Sequence, residues 1–448
     1  MVMENYNEHP SFLQRHAYAI KAVIIGILVL VLLIPTAMIM GLINERQRMQ
    51  DDATNEVSAK WANAQTVTGP ILVVPYQRAN AKGELITQTA FFLPDKLNVN
   101  GALTPEIRKR GIYEVALYNS RLQLSGSFAT PDPALLNIPA ASVLWKEAYL
   151  AVGISDMRGI GNQVQVIWNG QPHVFNPGTP PGDVLQSAIV AKIPLSAAEG
   201  DTTAGGSFSI NLELKGSGQV YFTPVGQYTQ VDLNAPWANP SFDGAFLPGK
   251  RTISDNGFNA NWQVLHTNRS FPQSWTTENK YDIHTADFGV KLFLPVDGYL
   301  KSTRAVKYAI LIIGLTFLLF YFIELLYHHS VHPLQYILIG VALCIFYTLL
   351  IALAEQLSFN VAYLIAAALT LGLVTAYAAS VFKKLGTTMA VGGTLFTLYL
   401  FIYVIIQSED QALLMGSLGL FIILAIVMYF SRKIKWDELG GNVRPVRN

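Results

Sequence analysis

The stretch FNVAYLIAAALTLGLVTAYAASVF, residues 359–382, runs for 24 residues without a charge. Similar apolar stretches cover residues 334–354, 385–406 and 412–430, and a fifth covers residues 306–327. A helix rises about 1.5 Å per residue, so about 20 residues cross a hydrocarbon core roughly 30 Å thick. The last third of the chain therefore predicts five membrane-spanning helices.

A further apolar stretch lies near the start of the chain, at residues 19–43, after a polar tail of residues 1–18. It is longer than the apolar region of a secretory signal peptide, which has about 7–15 residues, and no small-residue cleavage site follows it. We expect it to remain as an uncleaved anchor. With the polar tail of residues 431–448, the pattern predicts a polytopic α-helical protein with one span followed by five.

Residues 44–305 contain no second stretch that could span a membrane. Residues 44–65 are polar and rich in helix formers, which predicts a helical stalk. Beyond them the pattern has a period of two, as in Phe208, Ile210, Leu212 and Leu214 with polar residues between them. This alternation predicts a large, mainly β region of antiparallel, sandwich-like sheets. Whether it forms one β domain or two stays open.

Composition excludes some classes of protein. Of 448 residues, 51% are hydrophobic and 14% are charged, and the formal net charge is +1. An ordinary soluble domain carries about 25% charge, and a near-neutral chain gives no support for nucleic-acid binding. Cys344 is the only cysteine, so no intrachain disulfide can form. We interpret it as a small apolar residue against lipid or a neighbouring helix.

Lysine and arginine in the short connections predict the orientation, because they favour the cytoplasmic side. Lys383, Lys384 and the basic tail after residue 431 fall on one side, while the loops around Glu355 and residues 409–410 fall on the other. Both termini are therefore expected in the cytoplasm and residues 44–305 outside it. Three cations disagree, but they follow a long folded region whose translocation depends less on charge: Lys301, Arg304 and Lys307.

Several short strings, in order along the chain, resemble the CreD family of bacterial inner-membrane proteins, also described as cell envelope integrity proteins. The strings are GPILVVP (69–75), RKRGIY (108–113), DMRGIG (156–161), PSFDGAFLP (240–248), GFNANW (257–262), KYAIL (307–311), HPLQY (332–336) and LAE (353–355). The resemblance covers nearly the whole length, except both tails and the loops near residues 176 and 200. It implies an inner-membrane protein with a periplasmic domain, linked to the envelope stress response under a two-component regulatory system. It supplies no reaction or ligand.

Catalytic signatures are absent from the sequence: it has no GxSxG, HExxH or GxxxxGK[ST]. An enzymatic activity is therefore not favoured, and we expect no cofactor or metal. Three histidines lie close together, at His328, His329 and His332. We interpret them as part of a loop at the level of the lipid headgroups, with His332–Pro333 setting the start of the next helix.

Two pairs of residues in the β region are candidate ligand contacts. Asp156 and Arg158 form either an anion- or sugar-binding loop or an Asp-capped turn whose arginine pairs with a nearby carboxylate. Lys250 and Arg251 could contact anionic envelope material or lipid headgroups, or they end a solvated strand.

Tryptophans are the other candidates, because their rings stack on sugars. Trp262 lies on the apolar side of an alternating strand and is expected in the core. Trp237 and Trp275 have proline and polar neighbours, so we expect them to be exposed and available to peptidoglycan or lipopolysaccharide.

In the membrane block, Glu324 and Glu355 lie at the ends of predicted helices, where they can snorkel to the interface or reach water. Two hypotheses follow. In the first, a non-enzymatic envelope protein binds a periplasmic ligand, lipid or partner protein through its β region. In the second, a membrane enzyme or lipid transporter has its site where the β region meets the bundle, with Arg304, Lys307 and Glu355 around a headgroup. The sequence does not determine the oligomeric state.

Overall fold

The computed structural model describes residues 17–195, 205–294, 298–327, 331–408 and 411–432. The chain divides into two compact units. The membrane unit consists of the described residues up to Met49 and from Gly298 onward, and the β unit consists of those from Gln50 to Leu294.

Helices make up the membrane unit. Six of the described helices are long and apolar enough to cross a membrane, one near the N-terminus and five near the C-terminus. The predicted arrangement of one span followed by five is thereby confirmed. The helices are α1 (Ala17–Trp61), α2 (Gly298–Lys307), α3 (Ala309–Tyr327), α4 (Pro333–Ala354), α5 (Phe359–Phe382), α6 (Leu385–Gln407) and α7 (Ala412–Ser431).

Two boundaries differ from those expected from the sequence. α1 ends at Trp61 and strand pairing starts at Gln65, so the last residue of the expected stalk already belongs to the sheet. Residues 298–305, which were expected at the end of the β region, lie in α2 and in the membrane unit. α2 buries Tyr299, Ser302, Ala305 and Val306, a spacing of three to four residues that is typical of one side of a helix.

α1 packs against α4 at a glycine. A Cβ atom at Gly340 would lie 2.1 Å from Leu32 Cδ1, and Cys344, one turn later, places its Sγ 3.9 Å from the Leu32 carbonyl oxygen. Small residues let two helices approach closely, which is how spans associate in lipid. Of the two environments expected for Cys344, lipid or a neighbouring helix, the structure shows the neighbouring helix.

Two sheets form the β unit. Their strands are β1 (Gln65–Ala79), β2 (Leu85–Phe92), β3 (Lys96–Arg110), β4 (Tyr113–Phe128), β5 (Tyr149–Ile154), β6 (Gln165–Trp168), β7 (Gln171–Val174), β8 (Asn176–Pro177), β9 (Ala188–Lys192), β10 (Gly206–Ser217), β11 (Gln219–Thr223), β12 (Tyr228–Ala235), β13 (Pro240–Gly244), β14 (Lys250–Ser254), β15 (Gly257–Leu265), β16 (Ser274–Thr276) and β17 (Phe288–Leu292).

The first sheet has the order β13-β17-β11-β1-β5-β9-β8, with β2 paired to β1 and β16 paired to β2. The second has the order β14-β15-β12-β3-β4-β10-β6-β7. Most pairs are antiparallel as expected, but β1 pairs with β11 and β12 pairs with β3 in parallel, so both sheets are mixed.

Both sheets contribute to one hydrophobic core. It combines residues such as Leu72 and Val290 of the first sheet with Leu124 and Leu212 of the second. On β10 the alternation is as expected, since Phe208, Ile210, Leu212 and Leu214 are buried. A single shared core makes the region one β unit, and it leaves the polar side chains of the second sheet on its outer side.

Candidate functional site

The outer side of the eight-stranded sheet is lined with amide side chains. On β12, β15, β3, β4 and β10, residues with buried side chains alternate with Asn, Gln or Asp residues that are exposed or half-buried. Successive side chains of a strand point to opposite faces, so the polar set shares one side. We call this surface the amide face and define it as Asn98, Asn100, Gln123, Asn211, Gln230, Asp232, Asn234, Asn259, Asn261 and Gln263.

Strand register aligns part of the amide face into a single row. Each member stands directly opposite the next across neighbouring strands, in the order Lys250, Asn261, Asp232, Asn100, Gln123 and Asn211. Strands lie about 4.8 Å apart, so a row across six of them extends for about 24 Å. A ligand along it would meet a hydrogen-bonding group at every strand.

One carboxylate orients the amides at one end of the row. Asn261 Nδ2 donates to Asp232 Oδ1 at 2.6 Å, and Gln230 Nε2 donates to Asp232 Oδ2 at 2.7 Å. Within the described part of the chain, no hydrogen bond joins the side chains of Asn100, Gln123 or Asn211 to another residue. Each of these amides keeps two donors and an acceptor for a ligand.

Two shallow depressions lie on the amide face. The larger, of about 460 Å³, is lined by Asn100, Gln123, Asn211 and Asp232 among others, and Ala102 leaves room between Asn234 and Arg121. The smaller, of about 190 Å³, shares Asp232 and Asn234 with it and reaches Lys250. Charges around the two depressions are nearly balanced: the cations are Arg121, Lys250 and Arg251, and the carboxylates are Glu213 and Asp232.

Lys250 and Arg251 lie on the edge strand β14, and both are exposed. Lys250 ends the polar row, whereas the Arg251 guanidinium lies 5.9 Å from the centre of the Phe242 ring. Of this candidate pair, only Lys250 is a member of the row.

Asp156 and Arg158 form a capped turn. The Asp156 carboxylate accepts hydrogen bonds from the backbone N–H groups of Arg158 (3.1 Å) and Asn63 (2.9 Å). Arg158 donates from Nε (2.9 Å) and Nη2 (2.6 Å) to the same carboxylate, and from Nη1 to the Ala59 carbonyl oxygen. The Arg158 side chain lowers the pKa of Asp156 to about 2, assisted by the backbone of Asn63. This arrangement matches the second interpretation, a turn that joins the end of α1 to β5.

The three candidate tryptophans are buried or half-buried in the β unit. Trp262 is 1% exposed, as expected for a core residue. The expectation that Trp275 is exposed is wrong, because it is also 1% exposed and packs 5.4 Å from Phe91, centroid to centroid. Trp237 is half-buried, and its Nε1 donates to the carbonyl oxygens of Asn239 (3.1 Å) and Phe293 (3.2 Å).

Glu324 is 3% exposed in the membrane unit, which overturns the expectation that it reaches water. It pairs with Lys21 of α1, and Tyr336 Oη donates to its second oxygen at 3.4 Å. A carboxylate that is buried among helices is stabilised by such partners, because an isolated charge there costs several kcal/mol.

Glu355 caps the C-terminus of α4 and has partners from two other helices. Its Oε1 lies 3.5 Å from Arg46 Nε of α1 and 3.1 Å from Tyr299 Oη of α2. Arg304 is half-buried on α2, and Lys307 is exposed at the end of that helix. Lys307 borders a cavity between α3, α6 and α7. The grouping of Arg304, Lys307 and Glu355 around a headgroup stays a prediction.

His332 caps the N-terminus of α4. The Leu334 backbone N–H donates to His332 Nδ1 at 3.2 Å, and the His332 backbone N–H donates to Gln335 Oε1 at 2.9 Å. The interpretation that His332 sets the start of this helix is confirmed, while His328 and His329 lie outside the described residues. No group of three or more His, Cys, Asp or Glu side chains that could hold a metal occurs among the residues that the structure describes.

Sequence reasoning missed the amide face, although its signal was present. NVN at 98–100, QVDLN at 230–234 and NANWQ at 259–263 each alternate amide or acidic residues with apolar ones. The apolar residues of this alternation predict the core, whereas the polar residues form a recognisable surface only once the strand register is known.

The chain matches a family model described as "Inner membrane protein CreD" over residues 17–437. The Inner membrane protein CreD of Escherichia coli (strain K12) is 32% identical over 422 residues, which are 91% of this chain and 91% of that protein. Both similarities extend across the membrane unit and the β unit. The chain therefore belongs to the CreD family of inner membrane proteins.

Proposed function

We propose that this protein supports the integrity of the cell envelope without catalysis, by binding the glycan strands of peptidoglycan at the amide face. The polar row across six strands carries this proposal. Side-chain amides both donate and accept hydrogen bonds, and so do the hydroxyl and acetamido groups of a glycan. A row of such groups suits an extended, uncharged, hydroxyl-rich ligand.

The proposal places the β unit in the periplasm and both termini in the cytoplasm. An even number of spans puts the two termini on the same side. Lys383, Lys384 and the basic tail mark that side as cytoplasmic. A periplasmic β unit would face peptidoglycan directly.

The near balance of charge on the amide face favours a neutral glycan over lipopolysaccharide. Phosphate groups are recognised by arginine and lysine clusters, whereas Lys250 and Arg121 are offset here by Asp232 and Glu213. Arg121 Nε lies 3.9 Å from a Glu213 oxygen. A partner protein is the remaining candidate, and binding measurements distinguish it from a glycan.

The test is co-sedimentation of the detergent-solubilised full chain with purified peptidoglycan sacculi. The variant Asn100→Ala/Gln123→Ala/Asn211→Ala removes three amides from exposed positions and leaves the core intact. Each hydrogen bond contributes about 0.5–1.5 kcal/mol, so we expect the apparent affinity to fall at least about 10-fold. Ala102→Phe, which fills the larger depression, should have a similar effect.

The matched control is Gln77→Ala/Gln171→Ala, which removes two exposed amides outside the amide face. It should bind sacculi like the unmodified protein. Equal binding by the triple variant, or no binding by the unmodified protein, contradicts the proposal. Binding to lipopolysaccharide or to a protein in place of sacculi also contradicts it.

A further inference from the structure

An apolar slot opens between α3, α6 and α7 of the membrane unit. It has a volume of about 320 Å³, and its apolar lining is Ile310, Leu311, Phe401, Ile405, Gly416 and Leu420. These residues lie at the start of α3, the end of α6 and the start of α7. They therefore share one end of the bundle, at the level where lipid tails meet headgroups.

A lysine side chain supplies a positive charge at this slot. Lys307 is exposed and also lines it, together with the half-buried Tyr308. Among the described residues, Lys307 takes part in no ion pair. A lysine at this depth attracts anionic headgroups, and tyrosine is enriched at the interface between lipid and water.

Tyr308 lies at a break between two helices, because α2 ends at Lys307 and α3 begins at Ala309. The C-terminal end of α2 and the N-terminal end of α3 meet there, so their opposite partial charges largely cancel. The positive charge at the slot therefore comes from the Lys307 side chain.

α7 leaves the slot accessible from the side. In its membrane-spanning window only 6% of the residues are buried, compared with 39% for α6. A Cβ atom at Gly416 would meet nothing within 4 Å, so the slot has room for a lipid chain beside this glycine.

We propose that the slot is a binding site for an anionic glycerophospholipid, with one acyl chain between α3, α6 and α7 and its phosphate at Lys307. This site is separate from the amide face and does not depend on the glycan proposal. In this proposal, α3, α6 and α7 together bind lipids with anionic headgroups selectively.

The test uses the full chain in detergent, with native mass spectrometry to count retained lipid. Phosphatidylglycerol and phosphatidylcholine with identical acyl chains are the two probes. The unmodified protein should bind phosphatidylglycerol more tightly. Lys307→Gln should reduce the preference for phosphatidylglycerol about 5-fold, because one cation near anionic headgroups changes the affinity by about this factor. Lys307→Arg keeps the positive charge and should retain the preference.

Gly416→Phe fills the slot and should weaken the binding of both lipids. Two controls lie elsewhere: Lys383→Gln at the C-terminal cap of α5, and Gly372→Phe, where a Cβ also meets nothing within 4 Å. Both should bind lipid like the unmodified protein. An unchanged preference in Lys307→Gln, or unchanged binding in a folded Gly416→Phe variant, would overturn the site.

Discussion

Lys21 of α1 and Glu324 of α3 form an ion pair inside the membrane unit, although 303 positions separate them in the chain. A second pair, Arg46 and Glu355, joins α1 to the end of α4. Lys21 and Arg46 are 25 residues apart on one helix, which corresponds to about 37 Å. The two pairs therefore bracket a length close to that of the hydrocarbon core and hold α1 to the other helices at both ends.

Replacing Lys21 with alanine should leave Glu324 buried without a counter-ion. We expect the free energy of unfolding to fall by about 3 kcal/mol, measured by titration with denaturing detergent in mixed micelles. The exposed pair Lys60–Glu56 provides the control, since Lys60→Ala should cost less than about 1 kcal/mol. Equal effects of the two variants would show that the Lys21–Glu324 pair stabilises no more than a surface pair.

Gly340→Ala should loosen the contact between α1 and α4, because the new Cβ lies 2.1 Å from Leu32 Cδ1. We expect a loss of about 1–3 kcal/mol, typical of overpacking. Gly372→Ala is the control, since a Cβ there meets nothing within 4 Å. Adding Leu32→Ala to Gly340→Ala should recover part of the loss in a double-mutant cycle, and strictly additive effects would contradict the contact.

Asp156 should make the β unit sensitive to acid. Its pKa in the folded protein is about 2, below the ordinary value of 3.8, so the folded state favours the ionised form. The resulting stabilisation is complete above about pH 4 and is lost as the pH falls toward 2. Asp156→Asn should lower stability at pH 7 by about 1–3 kcal/mol and flatten the pH dependence, as followed by circular dichroism.

The control for Asp156 is Asp183→Asn, because the Asp183 side chain is 85% exposed and pairs with Lys280 at the surface. The stability of the Asp183→Asn variant should equal that of the unmodified protein at every pH. The interpretation of Asp156 fails if its variant shows the same slope between pH 4 and pH 2 as the unmodified protein.

Trp275→Ala should destabilise the β unit by about 3–5 kcal/mol, since it removes a fully buried indole. Trp237→Ala should cost less, because that side chain is half-buried. Thermal unfolding followed by near-ultraviolet circular dichroism measures both. A Trp275→Ala variant with unchanged stability and weakened glycan binding would contradict the structural role and indicate that Trp275 contacts the ligand.

The membrane spans and the alternating strands could be predicted from the sequence because both signals are local. A span needs about 20 consecutive apolar residues, and a half-buried strand shows its period of two within a few residues. Residues 359–382 were predicted with the bounds that the structure gives. The alternation from Phe208 to Leu214 likewise identified the buried side of β10.

The candidate site could not be predicted in this way, because it depends on neighbours that are distant in the chain. Asn100 stands beside Asp232 only because β3 pairs in parallel with β12, and beside Gln123 because β3 pairs with β4. Trp275 looked exposed from its polar neighbours in sequence, yet β16 pairs with β2 and places its ring against Phe91.

By itself, the sequence determined that one span precedes five, that a β region lies between them, and which side of an alternating strand such as β10 faces the core. Hydrophobic burial decides these features, and the order of apolar and polar residues along the chain shows which residues are buried. The tertiary structure alone decided which polar sides meet in one row, and that Glu324 is neutralised by Lys21. Hydrogen bonds and ion pairs act over a few ångströms in space, whatever the separation along the chain.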